Sequence, residues 1–197
     1  MDIPHVLYVS STGVYDRHDG SEVTERSVIT PRDARVQSLY DAECITGELA
    51  ASSGRTVHVL RAAGLYGPQR DPYARLTDPA FGAADVWCNF SWRDDVMSAI
   101  THLCAHDLAP GLRTYNCADG TPLRAGAIAA VMTGRIAEAS RYVPAAHDTA
   151  PHDAVRSGRS NQRINVDALL ATGWRPVAPT VFDGLRLLGH VVPGARA

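Results

Sequence analysis

The strongest constraint on this chain is an alternation near its start: a short apolar run, a long helical pattern, then a second short apolar run. His5-Val6-Leu7-Tyr8-Val9-Ser10 carries four consecutive apolar residues and ends in a polar cluster, the pattern of a strand buried on both faces of a parallel sheet. A polar loop follows from Thr12 to Asp33. Ala34 to Ser53 reads as a helix, with Val36, Leu39, Tyr40, Ile45 and Leu49 at roughly helical spacing and Ser52-Ser53-Gly54 as its stop. Thr56-Val57-His58-Val59-Leu60 is a second β-branched run. Strand, helix, strand predicts an α/β fold containing a parallel pair joined by a right-handed crossover.

The middle of the chain is less regular. Tyr66 to Asp85 is rich in Gly, Pro and Asp, the composition of a loop able to line a site. Val86 to Phe90 suggests a short strand, and Arg93 to His106 a helix with Val96, Ala99, Ile100 and Leu103 on one face. Arg113 to Cys117 suggests a further strand, and Pro122 to Ala137 a helix weakened by two glycines. From Arg141 to Asn165 the pattern dissolves into an irregular excursion. Two short helices, Val166 to Thr172 and Thr180 to His190, flank Gly173-Trp174-Arg175-Pro176.

Composition narrows the partners. With 197 residues and 45% hydrophobic content, the chain can bury one proper core. Its formal charge of -2, with acids and bases interspersed, provides no field for nucleic acid and no basic patch for a membrane. Met1-Asp2-Ile3-Pro4 does not read as a signal peptide, and no stretch reaches the length of a bilayer span. Cys44, Cys88, Cys104 and Cys117 are widely spaced, which predicts reduced, buried cysteines, no structural metal and a cytoplasmic setting.

Three segments carry a resemblance. Val9-Ser10-Ser11-Thr12-Gly13-Val14-Tyr15 is similar to a Ser-Ser-x-x-Val-Tyr-Gly strand end. Leu60-Arg61-Ala62-Ala63-Gly64-Leu65-Tyr66-Gly67-Pro68 is similar to an Arg-x-x-x-x-Tyr-Gly-Pro turn, and Arg93-Asp94-Asp95-Val96 to a Val-Asp-Asp-Val helix start. Ala171 to Pro176, followed by Asp183-Gly184-Leu185, matches the closing segment. In this order, over about residues 5 to 190, the set resembles the NAD(P)-dependent epimerase/dehydratase group of extended and atypical short-chain dehydrogenases/reductases. The resemblance implies a partial Rossmann-like parallel sheet with flanking helices and a small C-terminal α/β substrate-side portion. Residues 1–85 would be the remnant of the Rossmann-like domain and 86–197 the substrate side, interwoven as one unit.

Two departures from that family shape the functional expectation. The family opens with a glycine-rich strand-to-helix turn that holds a dinucleotide's pyrophosphate. No such turn occurs here, so the expectation is a truncated chain without the phosphate cradle. The family also uses Tyr-x-x-x-Lys after the serine loop, the lysine lowering the phenol's pKa. Anchoring on Ser38 and Glu43 puts Arg35 at the tyrosine position and Leu39 at the lysine position. Tyr40 lies about 100° further round the helix, with Cys44 four residues on, and all 19 basic residues are arginine. Arginine at the first position resembles a subgroup of atypical members.

The candidate catalytic residues are Ser11, aligned with a hydroxyl that bonds a substrate oxygen, and Arg35. Arg35 reads either as a fixed cation for a carboxylate or phosphate or as a solvated helix residue. Thr12 and Gly13 stand where dehydratases carry acids, and neither transfers a proton at neutral pH. Ser10, Thr12, Ala63, Gly64, Tyr66 and Pro68 form the substrate- or cofactor-side loops, while Arg61 reads as a structural hydrogen-bond donor. Trp87, Trp92 and Trp174 read as core or site-wall aromatics. His102 and His106 read as helix-surface histidines near a C-terminus rather than metal ligands, and His147-Asp148 and His152-Asp153 as loop residues or an acid/base pair.

Functionally the expectation is an epimerase/dehydratase-like protein that binds no cofactor by itself, and NAD(P) only if the missing half is supplied. The alternative is a non-redox, structural or substrate-binding subunit of a heteromeric biosynthetic enzyme. In either case a small-molecule substrate is expected, together with a partner chain or second copy covering an open sheet edge.

Overall fold

The computed structural model describes residues 5–83, 86–105, 109–138, 141 and 160–193. The expected strand–helix–strand unit forms its centre. β1 (His5–Ser11) pairs in parallel with β3 (Thr56–Ala62), and β3 pairs in parallel with β7 (Gly111–Cys117), giving the order β1-β3-β7. The register runs from His5↔Thr56 to Ser11↔Ala62 and from Thr56↔Gly111 to Ala62↔Cys117. Every residue of β3 is buried, which is why its sequence is a run rather than an alternation. The fold class is thus a Rossmann-like parallel sheet flanked by helices.

The crossover between β1 and β3 is α1 (Ala34–Ser53). Its first turn is held by Asp33, whose Oδ1 accepts the Val36 N–H at 2.8 Å, and it closes on Gly54 in the left-handed conformation. The buried stripe differs from the one expected: Val36, Glu43, Thr46 and Ala50 face inward, while Tyr40 and Ile45 are exposed. Two polar side chains can occupy that stripe because Ser10 and Arg61 of the sheet partner Glu43, while the Thr46 hydroxyl donates to the Ala42 carbonyl of its own helix.

On the opposite face lies α4 (Arg93–Ala105), with Val96, Ala99 and Leu103 packed against Leu60 and Tyr115. Asp95, at its start, is buried and accepts the backbone N–H groups of Val177 (2.7 Å) and Ala178 (3.0 Å). The Asp-Asp-Val motif therefore ties α4 to the closing segment of the chain.

Beyond the C-terminal ends of the strands, short elements build a second core. β4 (Gly64–Tyr66) pairs with β6 (Phe90–Trp92), and β5 (Trp87–Cys88) with β8 (Leu123–Arg124). The segment expected to be a loop holds α2 (Tyr73–Thr77) and α3 (Pro79–Ala83), which pack on α5 (Ala125–Met132). α5 is shorter than the 122–137 pattern suggested: Leu123 and Arg124 are claimed by β8, and Thr133 caps the other end. β2 (Glu22–Val23) pairs with β9 (Arg163–Ile164), and α6 (Asp167–Ala171) and α7 (Val181–Leu187) finish the chain. α7 crosses Tyr66 so closely that any side chain at Gly184 would collide with the Tyr66 ring.

All four cysteines are free, but only Cys117 is buried. Cys44 and Cys104 are exposed because their helix positions turn away from the sheet, which corrects the expectation that all four are core residues.

Candidate functional site

A cleft of about 600 Å³ opens where β1 and β3 end, the place where open α/β sheets bind ligands. Its floor is Val9 to Gly13 and Ala62 to Leu65, and its far wall is Trp87 to Phe90. Arg35, Arg70 and Arg75 line it, as do Asp16 and His18.

Ser11 ends β1 and caps the 3-10 turn Thr12–Tyr15, its Oγ accepting the Gly13 N–H at 3.1 Å. That bond uses the oxygen as acceptor and leaves the hydroxyl proton to donate. The Arg35 guanidinium lies over the same turn. A Cβ built on Gly13 would stand 3.2 Å from Arg35 Nη1 and 3.3 Å from Ser11 Oγ, so the glycine leaves the space that the guanidinium uses. Ser11 and Arg35, 24 positions apart in sequence, are thus brought side by side.

Ser10 touches the cleft but directs its hydroxyl away, donating to Glu43 Oε1 at 2.6 Å. There it joins a buried network. Arg61 Nη2 meets Glu43 Oε2 at 2.6 Å, Arg61 Nη1 donates to the Tyr15 hydroxyl at 2.8 Å, and Tyr15 donates to Asn116 Oδ1 at 2.6 Å. Burial pushes the Tyr15 hydroxyl pKa up, against the opposing charge of Arg61. Arg61 is the structural donor that its position suggested.

Thr12 is buried in the floor, and its carbonyl accepts from Gln162 Nε2 at 2.9 Å. Ala63 and Gly64 carry the chain from the main sheet into β4. The Ala63 N–H bonds Ser91 Oγ (2.9 Å) and the Cys117 carbonyl (3.0 Å), and the Gly64 N–H bonds the Asn89 carbonyl (3.2 Å). Tyr66 and Pro68 lie elsewhere. Tyr66 is buried in the second core against Phe90 and Trp92, burial driving its hydroxyl pKa far up, and Pro68 is exposed outside the cleft lining.

Asp16, His18, Arg70, Arg75 and Asn89 line the cleft without having been singled out by the sequence. Asp16, at φ 49°, is the one non-glycine with positive φ among the described residues, and its Oδ1 meets His18 Nε2 at 2.9 Å. The guanidinium groups of Arg124 and Arg163 lie over the Trp87 ring, 5.7 and 5.5 Å from its centroid. Trp92 and Trp174 are core residues. The strand at Arg163 is fastened by Asn89, which accepts the Ile164 N–H and donates to the Gln162 carbonyl. His102 Nε2 lies 3.0 Å from Thr172 Oγ1. His106, His147-Asp148 and His152-Asp153 lie outside the described residues. Among the described residues no group of three metal-ligating side chains comes together, and no helix is long and apolar enough to cross a membrane.

No family model matches the chain. It is 33% identical over 126 residues to Protein YeeZ of Escherichia coli (strain K12), an alignment covering 62% of this chain and 43% of that protein. The matched stretch therefore spans under half the length of the curated relative. A functionally unknown conserved protein from Silicibacter pomeroyi DSS superposes with a TM-score of 0.67 at 26% identity, over 94% of this chain and 66% of that one. A protein assigned as an NAD-dependent epimerase/dehydratase from Methylobacillus flagellatus gives a TM-score of 0.70 at 25% identity, over 94% and 63%. The fold is epimerase/dehydratase-like. The structure of RMD from Pseudomonas aeruginosa complexed with NADPH, at 23% identity and a TM-score of 0.66 over 94% of this chain and 64% of that one, agrees at the level of fold.

Proposed function

We propose that this chain is a ligand-binding, redox-silent protein on the epimerase/dehydratase-like fold, one whose cleft orients a small molecule without itself passing hydride. The observation that supports this most is the Ser11–Arg35 juxtaposition, at the position where the resemblance puts a tyrosine. An arginine stays protonated at neutral pH, so it binds and orients but does not shuttle a proton. Leu39, at the lysine position, brings no charge to a nicotinamide ribose.

The residues present do not fit a nicotinamide dinucleotide. β1 runs into a 3-10 turn rather than a long helix, and the Gly13 N–H of that turn is already taken by Ser11. Among the described residues no glycine triplet of the phosphate-binding spacing follows a strand. The test is a titration of the chain with NADH and NADPH, read by nicotinamide fluorescence. No enhancement is expected, and tight binding would overturn the proposal.

A second reading, in which the chain works as a subunit beside a partner, is favoured by β1. Among the described residues this strand pairs with β3 alone, its other edge is open, and Val9 is 46% exposed. An open edge of this kind invites a further strand from a partner chain or a second copy. Size-exclusion chromatography with light scattering tests it: a well-behaved monomer at high concentration removes the need for a partner.

A further inference from the structure

We propose that the cleft binds a small-molecule oxyanion, a carboxylate or a phosphate monoester, through the Ser11 hydroxyl and the guanidinium groups of Arg35 and Arg70. This rests on the ligand-binding reading above and gives that ligand its chemistry.

Three observations carry it. The first is charge. The chain has a formal charge of -2, yet among the described residues the cleft gathers Arg35, Arg70 and Arg75 with Asp16 as its one acid. That local reversal of sign draws anions to the cleft from a molecule that otherwise repels them. The second is compensation. Among the described residues no ion pair engages Arg35 or Arg70, and Asp16 is already in contact with His18. Arg61 shows the contrast, with its charge spent on Glu43 inside the protein. The third is donor geometry. The Ser11 hydroxyl and the Arg35 guanidinium are neighbours over Gly13, with Oγ and Nη1 at 3.3 and 3.2 Å from where a Cβ on that glycine would stand. The serine oxygen has accepted from Gly13, which leaves its hydroxyl proton to donate beside the guanidinium. A hydroxyl and a guanidinium side by side on one cleft wall fit an anionic group, and the planar fork of Arg35 suits the two oxygens of a carboxylate or phosphate. Trp87 and Phe90 in the far wall leave an apolar surface for the rest of the molecule.

The experiment titrates the full chain with glycerol 3-phosphate, with malate and with neutral glycerol at low salt, following tryptophan emission with Trp87→Phe as the control for the reporter. Saturable binding of either anion, weakened by salt and absent for glycerol, is expected. Whether the phosphate, the carboxylate or both bind identifies the source of the oxyanion. Losing a charge-assisted bond in Arg35→Ala should weaken binding roughly tenfold or more. Arg70→Ala should weaken it in the same sense, and Arg35→Lys by less than Arg35→Ala. If Arg35→Ala did not fold, Arg35→Gln makes the same test without shortening the side chain. No response to either anion, or an unchanged response in the Arg35→Ala/Arg70→Ala double variant, would overturn the proposal. NADPH binding that survived in that double variant would instead defeat the redox-silent reading and leave the oxyanion site standing.

Discussion

The two faces of the central sheet are built on opposite principles. The α1 face is polar at its centre: Ser10, Glu43, Arg61, Tyr15 and Asn116 form one buried hydrogen-bonded network. The α4 face is apolar, with Leu60, Val96, Ala99, Leu103 and Trp174 in one cluster. An apolar face stabilises but tolerates small shifts in register, whereas a network of directional bonds does not. The polar face is the one beneath the cleft. It fixes where β1 ends and where α1 begins, and so brings Ser11 and Arg35 together.

The sharpest way to break that contrast is Glu43→Ala. It would leave Arg61 buried without its carboxylate, and removing one partner of a buried pair costs about 3–5 kcal/mol. Urea unfolding should show a loss of that order. The double variant Glu43→Leu/Arg61→Met should recover much of it, because no uncompensated charge then remains. On the other face, Leu103→Ala should cost about 2–5 kcal/mol through the cavity it leaves. The two faces then differ in position: the Leu103 loss should leave cleft binding intact once corrected for unfolded protein, and the Glu43 loss should not.

Asp95 joins the two regimes. It sits on the apolar side yet accepts two backbone N–H groups, from Val177 and Ala178. Asp95→Asn keeps the shape but turns one acceptor into a donor facing an N–H, a loss of about 1–3 kcal/mol in the same unfolding assay. The damage should concentrate in the 174–188 segment, seen as faster amide exchange there.

These positions explain why the sequence was informative in some places and silent in others. The family-like motifs are legible because they are scaffold: Tyr15 and Arg61 belong to the buried network, Asp95 holds the closing segment, and Gly184 makes room for Tyr66. α1 was readable at its C-terminal end because Gly54 marks it chemically, whereas the Asp33 cap at its start shows only in the structure. Its buried stripe was not, because Glu43 faces inward on the strength of Ser10 and Arg61, partners distant in sequence, and Thr46 by bonding its own helix backbone, whereas periodicity sees only hydrophobicity. β2 and β9 are two residues each and pair across most of the chain, so neither has a pattern to find. α2 and α3, at five residues each, are too short to show helical period. In the cleft, Ser11 and Arg35 were visible through their motif positions, whereas Asp16 with His18 and the wall arginines come together only through folding.

The apolar face carries a further polar side chain. His58 is fully buried in β3 with both ring nitrogens unpartnered, its ring stacked on His5 and tilted against Tyr115. Burial, with Arg113 and His5 adding repulsion, pushes its pKa below the ordinary value. The unfolded chain takes up a proton below about pH 6.5 and the folded one resists it, so stability is retained above that value and lost as pH falls. The thermal midpoint should therefore drop between pH 7 and pH 5. His58→Leu removes two unsatisfied buried atoms, so at pH 7 it should be neutral or stabilising by up to about 1 kcal/mol, and it should flatten that pH slope. A steep slope surviving in His58→Leu would place the titration elsewhere.

The smallest effect on folding is expected where the largest effect on binding is proposed. Arg35 is exposed, and among the described residues its side chain has no ion pair. Arg35→Ala should change unfolding by no more than about 0.5 kcal/mol, the range of a surface substitution away from structural features. Arg61, one network inward, could not be truncated so lightly. The same residue type thus stands on both sides of the Ser10–Ser11 step, compensated on the inner side and uncompensated on the outer. If Arg35→Ala unfolded the protein as severely as Glu43→Ala, Arg35 would belong to the scaffold, and the division between a network that positions and a cleft that binds would fail.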